Sequence, residues 1–198
     1  VRGTVRSLRK DKEKSIAHLR ALPQADSHLE LIEADLMTPG SFDAAVAGCE
    51  YVLHTASPYV LNAEDPQRDL VDPAVQGTRE VLASCKKAGS VRRVVLTSSM
   101  AAITDEPDSD HVLTEADWNT KSTLERNAYY LSKTLAEKEG WRFVEAEKPG
   151  FDLVVINPFL VIGPSLSSAV NTSPQMFLDL LAGTYPGVII AAAQRQAA

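Results

Sequence analysis

Three short runs of β-branched and apolar residues, "YVLHTA" (51–56), "RRVVLTSS" (92–99) and "FDLVVINP" (151–158), constrain the fold more than any other feature. Strands that are apolar almost throughout are expected when helices cover both faces of a parallel sheet. Between them, Leu70, Ala74, Val75, Thr78, Val81, Leu82 and Cys85 recur at helical spacing and predict an apolar stripe on a helix over roughly 67–88. A second long helix is predicted over about 125–147. Upstream, "GTVR" (3–6) reads as a strand end and "KEKSIAHLRAL" (12–22) as a helix. "LELIEA" (29–34) reads as a strand, and "SFDAAVAG" (41–48) as a short helix with Ser41 as its N-cap. Strand–helix alternation of this kind predicts an α/β fold, a doubly wound parallel sheet. No internal repeat is visible. The closing "AAAQRQAA" reads as low-complexity tail, so the domain is expected over 1–188 and the tail over 189–198.

A chain of 198 residues with 44% hydrophobic content is long enough for one domain with its own core. Its net charge of −6 argues against a nucleic-acid binder, which is normally basic. Runs such as "LVVI" are too short to cross a bilayer. Cys49 and Cys85 form neither a disulfide framework nor a CxxC site, and read as small buried residues of a cytoplasmic protein. No charged-then-apolar leader opens the chain, and "VRGTVR" reads as mid-chain sequence.

"NAYYLSKTLAEK" (127–138) places Tyr129 four residues, and Tyr130 three residues, before Lys133. On a helix, Lys133 then projects roughly 40° from Tyr129 and roughly 60° from Tyr130, so either phenol can meet the ammonium. A free phenol, with pKa about 10, is a poor acid–base catalyst at neutral pH, and a neighbouring cation favours its phenolate. The spacing alone also fits a solvated helix face. A strand ending in Thr97-Ser98-Ser99 adds hydroxyls at its carboxyl end, where open α/β sheets place ligands. Those hydroxyls either hold a substrate carbonyl or merely cap the turn.

Ser99, Tyr129 and Lys133, taken with "VRGTVRS", "EADL", "HTASP" and "INPFLVIGP" in that order, resemble an extended short-chain dehydrogenase/reductase. The similarity is to the dihydroflavonol 4-reductase-like branch of the NAD-dependent epimerase/dehydratase superfamily and runs from Val1 to about Val188. It implies a Rossmann-like fold and an oxidoreductase that reduces a small carbonyl substrate (an aldehyde, ketone or dihydroflavonol-like compound) by hydride transfer. Ser99 would orient the substrate and Tyr129 would be the acid–base residue, a choice the spacing leaves open. Lys133 would lower the tyrosine pKa and hold the nicotinamide ribose. By the same resemblance Arg6 lies against the adenine and 2′-phosphate of NADP. A guanidinium suits that phosphate, whereas an acidic residue there would suit NAD. Asp35 and Leu36 resemble adenine-edge contacts, Thr55, Ala56 and Ser57 the backbone beside the ribose, and Pro158 and Val161 the turn against the nicotinamide. Thr97, Tyr129 and Lys133 complete the cofactor set. Arg9, Lys10, Lys12 and Lys14 add local positive charge or form a solvated helix start. His54 reads as a packed strand-end residue, no metal is implied, and a monomer or homodimer is expected.

The chain departs from the family at both ends. The family begins with a strand and a GxxGxxG turn that cradles pyrophosphate at a helix N-terminus. The ten glycines here, at 3, 40, 48, 77, 89, 140, 150, 163, 183 and 187, never show that spacing. In the strand order 3-2-1-4-5-6 the missing strand is central. The expectation is therefore a sheet in two pieces with facing unpaired edges, an aggregation hazard, and no measurable turnover. Most of the substrate domain is expected to be absent. Two further readings stay open, an epimerase, dehydratase or 3-beta-hydroxysteroid dehydrogenase on the same scaffold, and a non-catalytic nucleotide-binding remnant.

Overall fold

A computed structural model describes residues 1–9, 13–58, 63–106, 110–161, 163–164, 170 and 172–184. The elements run β1 (Arg2–Val5), α1 (Glu13–Arg20), α2 (Ala25–His28), β2 (Glu30–Glu33), α3 (Asp43–Val46) and β3 (Tyr51–His54). A π-helical turn (Gln67–Val71) then leads into α4 (Asp72–Ala88), followed by β4 (Arg93–Thr97) and a 3₁₀ turn (Met100–Ala102). The last elements are α5 (Leu124–Glu147), β5 (Asp152–Ile156) and α6 (Thr172–Leu181). The predicted tail over 189–198 lies outside the described residues.

All strands pair in parallel, in two separate sheets, β1-β2 and β3-β4-β5. Among the described residues no strand lies between β1 and β3, so the sheet is divided where the sequence predicts the gap. In the three-stranded sheet, Val52 pairs with Val94 and Val94 with Leu153, and one step on His54, Leu96 and Val155 align. With a period of two, these side chains share one face. That face meets Val81, Leu82 and Cys85 of α4 and Phe143 of α5 in the main core. Leu82 and Val94 are completely buried, each contributing about 1.5–3 kcal/mol.

The opposite face corrects the expectation that helices cover both sides. Leu53, Val154 and Ile156 are 72%, 37% and 45% exposed. The two sheets are held together on the helical side instead. Lys87 and Ser84 of α4 reach the carboxylate of Asp43 in α3 at 2.5 and 2.7 Å. Leu36, following β2, lies against Gly77 of α4, where a Cβ would come within 2.9 Å of its side chain. That approach requires glycine.

Local chemistry explains the element ends. Pro73 opens α4 and Gly89, at φ 67°, closes it in the left-handed region. The predicted helix over 67–88 is thus α-helical only from Asp72. Ser41 is not the N-cap of α3. Its hydroxyl donates to the Asp35 carbonyl (2.7 Å) and accepts from the Asp35 amide (3.1 Å), so it closes the turn after β2.

Candidate active site

The carboxyl ends of β4 and β5 and the first turns of α5 converge. The Ser98 amide donates to the Ile156 carbonyl at 2.9 Å and the Met100 amide to the Pro158 carbonyl at 3.0 Å. Backbone pairing therefore continues past the last residues of both strands. Ser99 caps the 3₁₀ turn, its Oγ accepting from the Ala101 amide at 3.2 Å. That bond uses a lone pair and leaves the hydroxyl proton available to donate. Capping and a role as hydroxyl donor are compatible at this residue.

Helix α5 is interrupted at its start. Thr123 Oγ1 accepts from the Arg126 amide, and Asn127 then leaves helical geometry (φ −160°, ψ 84°). Asn127 Oδ1 accepts from the Tyr130 amide at 3.2 Å, which is the bond of an N-cap. The segment carrying both tyrosines and Lys133 therefore begins as a freshly capped helix.

The two phenols sit in different fields. The Lys133 ammonium lies 5.9 Å from the centre of the Tyr129 ring. The two tyrosine rings meet edge to face, 6.0 Å apart and inclined at 70°. Burial pushes the Tyr130 phenol up, and the Asp105 carboxylate adds to the effect. Burial also raises the Asp105 carboxyl, but hydrogen bonds from Ser122 Oγ (2.7 Å), Arg126 Nε (2.9 Å) and Asn127 outweigh it and keep the group ionised. Tyr129 thus faces a cation while Tyr130 faces an anion.

Lys133 is itself only 9% exposed, and this burial lowers its pKa. No hydrogen bond joins its ammonium to another described residue. Beneath it is a small cavity of about 10 Å³, lined by Ala56, Ser57, Thr78, Leu96, Thr97, Ser98, Lys133, Ala136 and Glu137. His54, at the end of β3, is buried, and desolvation together with Lys133 pushes its pKa down to about 4. It is a neutral packed residue at pH 7, as its sequence context suggests.

The structure thus brings Ala56, Ser57, Thr97 and Lys133 around one cavity, with Ser99 at the turn just after β4 and Tyr129 one turn before Lys133. Thr55 is exposed in the same segment. Pro158 contributes its carbonyl to the Met100 amide, and Val161 stands 70% exposed beyond it. Arg6 follows β1, Asp35 and Leu36 follow β2, and none of the three lines the cavity. Arg6 and Arg9 are exposed. The Asp35 carboxylate accepts from the Met37 amide at 2.8 Å. Lys10 and Lys12, with the side chain of Lys14, lie outside the described residues.

Sequence reasoning missed three residues. Asn157 donates from one amide nitrogen to the Ser99 carbonyl (3.1 Å) and to Glu137 Oε2 (2.8 Å), tying β4, β5 and α5 together. Glu137 is 7% exposed and lies four residues after Lys133, a spacing that places both on one helical face. Asn127 precedes Tyr130 at N-cap spacing, a signal hidden by the surrounding helical pattern. For Asn157 the sequence offers no signal, because its partners are distant along the chain.

The sequence profile of the 3-beta hydroxysteroid dehydrogenase/isomerase family matches residues 3–149, around this strand–helix framework and its Tyr-Lys helix. The chain belongs to that family. A cinnamoyl-CoA reductase of Medicago truncatula is 42% identical over 193 residues, covering 94% of this chain and 58% of the relative. A bifunctional dihydroflavonol 4-reductase/flavanone 4-reductase of Malus domestica is 36% identical over 191 residues, covering 94% and 52%. The crystal structure of Gre2 from Candida albicans in complex with NADPH superposes with a TM-score of 0.77. It is 35% identical, with 91% of this chain and 58% of that one covered. The chain therefore spans just over half the length of these relatives. The fold is that of the family's Rossmann-like reductases.

Proposed function

We propose that the chain carries the catalytic half of an NADPH-dependent reductase of small carbonyl compounds, with Tyr129 as general acid. The observation that carries this reading is the split between the phenols, with Lys133 beside Tyr129 and Asp105 acting on Tyr130. A cation stabilises the phenolate left by proton donation, and an anion opposes it. Ser99, with its hydroxyl proton uncommitted by the cap, donates to the substrate carbonyl while Tyr129 protonates it. The largely buried side chain of Lys133 fits a polar ligand arriving at this rim. Lys133 would hold the nicotinamide ribose of NADPH, with Thr55, Ala56, Ser57, Thr97, Pro158 and Val161 around it. Arg6, Asp35 and Leu36 would hold the adenine end across the divided sheet. NADPH supplies the hydride when bound. The relatives' names, a cinnamoyl-CoA reductase and a dihydroflavonol 4-reductase, support a reductase, and the Gre2 complex supports NADPH over NADH. We assign residues 1–188 to a partial NAD(P)-binding domain of a cytoplasmic monomer or homodimer.

The matching family's name favours one second reading, a hydroxysteroid dehydrogenase with the same Ser99, Tyr129 and Lys133 roles. Tyrosine titration by ¹³C NMR tests the shared core of both. Tyr129 is expected to deprotonate at lower pH than Tyr130, and Lys133→Met to abolish the difference. A Tyr130 that titrates first would overturn the assignment.

A further inference from the structure

The cavity beneath Lys133 contains a polar group that the reductase reading leaves unused. Ser98 is 8% exposed, and its Oγ is the buried side-chain polar atom that lacks a hydrogen-bond partner among the described residues. The neighbouring turn does not employ it, because the Ala101 amide goes to Ser99 Oγ and the Met100 amide to the Pro158 carbonyl. Buried hydroxyls are normally satisfied by protein or by ordered water. Two charged side chains, Lys133 at 9% and Glu137 at 7% exposure, line the same space. Glu137 Oε2 already accepts from Asn157, and a carboxylate has acceptor sites to spare. The Lys133 ammonium has donors to spare. The volume of about 10 Å³ matches about one water-sized sphere.

We propose that this cavity is an internal water site in which one water accepts from Lys133 Nζ and Ser98 Oγ and donates to the Glu137 carboxylate. Two donors and one acceptor give the water three partners, the usual complement of a buried water. The site gives the ammonium a hydrogen-bond partner besides its contact with the Tyr129 ring. Ser98 and Glu137 are then positioning residues for Lys133. Only that last consequence rests on the reductase reading; the water site does not.

The test uses the chain itself and NMR, with no turnover required. Long-lived water is detected by nuclear Overhauser effects to the Ala136 methyl group and the Thr78 methyl group, and Lys133 is followed through its ¹³Cε signal against pH. Among the described residues, Tyr129 and Glu137 on α5 and His54 on β3 are the titratable groups that face or flank Lys133, and all three stay unchanged in the Ser98 variants. Wild type is expected to show the slow water. Ser98→Val fills the space, so the effects should vanish and Lys133 should lose its proton at a pH lower by about half a unit or more. Ser98→Ala keeps the space but removes one partner, so the water should remain with at least tenfold faster exchange; this variant decides the matter should Ser98→Val fail to fold. Ser98→Thr keeps the hydroxyl and should lie nearer wild type than Ser98→Val in the Lys133 titration. A wild type without slow water, or unchanged water exchange in Ser98→Ala, would overturn the proposal. The order in which Tyr129 and Tyr130 titrate judges the reductase reading separately.

Discussion

The two sheets differ in how much structure supports them. The three-stranded sheet lays Val94, Leu96 and Leu153 against Val81, Leu82, Cys85 and Phe143, and it carries Ser99 at a strand end and Tyr129 and Lys133 on the helix behind. The two-stranded sheet has no fully buried strand residue, since β1 and β2 are exposed or half-buried throughout. It carries Arg6, Asp35 and Leu36. In our reading one half does the proton chemistry and the other holds the distant end of the cofactor. The halves communicate through α3, α4 and Leu36 rather than through a shared strand. A site whose chemistry lies in the well-packed half keeps its geometry even where the sheet is divided.

The largest expected effect lies in the packed half. Where turnover of a carbonyl substrate is measurable, Tyr129→Phe removes the donated proton and should lower kcat by about 10²–10⁴-fold with NADPH affinity nearly intact. Tyr130→Phe should stay within a few-fold of the parent. Equal losses from the two variants would break the distinction between a phenol facing Lys133 and one facing Asp105.

Stability sharpens the contrast next. Leu82 is fully buried, so Leu82→Ala should cost about 2–5 kcal/mol. Leu31 of β2 is half-buried, and Leu31→Ala should cost less than about 1.5 kcal/mol. Urea unfolding measures both. A loss at Leu31 as large as that at Leu82 would show that the two-stranded sheet is packed as firmly as its neighbour.

Acid sensitivity should also come from the packed half. The His54 pKa is lowered from the usual 6.5 to about 4 by burial and then by Lys133. A base whose folded pKa is depressed contributes full stability above the unfolded value and loses it as pH falls. The window is therefore from about 6.5 down to about 4, with a loss of about 1–3 kcal/mol. Glu139, held at about 2 by Arg142 and Arg79 against the effect of burial, loses its contribution from about 4.5 downward. His54→Gln should flatten only the upper window in unfolding curves recorded against pH. An unchanged slope between pH 6.5 and 4 would mean that His54 is not buried in the folded chain.

Much of this division is legible in the sequence, for identifiable reasons. Helix α4 is legible because its apolar positions repeat every three to four residues, and the sheet gap because the ten glycines never show the GxxGxxG spacing. The Ser41 cap is misread because its hydroxyl finds Asp35 six residues back, a turn contact that competes with capping. The uncovered face of the three-stranded sheet is misread because apolar strands announce burial without saying which helices supply it. The choice between Tyr129 and Tyr130 is invisible to helical geometry. The family resemblance favours Tyr129, and the structure adds a difference that spacing does not announce: Asp105, from a loop more than twenty residues upstream, acts on Tyr130. The Asn157 bridge likewise joins Ser99 and Glu137 from three separate elements.

The smallest expected effect concerns the weak half, and it tests whether the two sheets form one binding surface. Arg6 follows β1 and is exposed, free of the main core, so Arg6→Ala should leave folding nearly unchanged. If the two-stranded sheet receives the adenine end of NADPH, the guanidinium meets the 2′-phosphate in a charge-assisted contact worth about 1.5–3 kcal/mol. The ratio of NADH to NADPH dissociation constants should then fall by about ten- to a hundred-fold in Arg6→Ala, with NADH binding itself hardly altered. Because phosphate contacts made at an exposed site are screened, the wild-type preference should also shrink as salt is raised, and the variant should lack that dependence. Fluorescence titration of both nucleotides at two salt concentrations measures all of this without turnover. An unchanged preference would move the phosphate contact to Lys10, Lys12 or Lys14. A preference lost equally in Lys133→Met would mean that discrimination resides in the packed half, and the functional division between the sheets would fail.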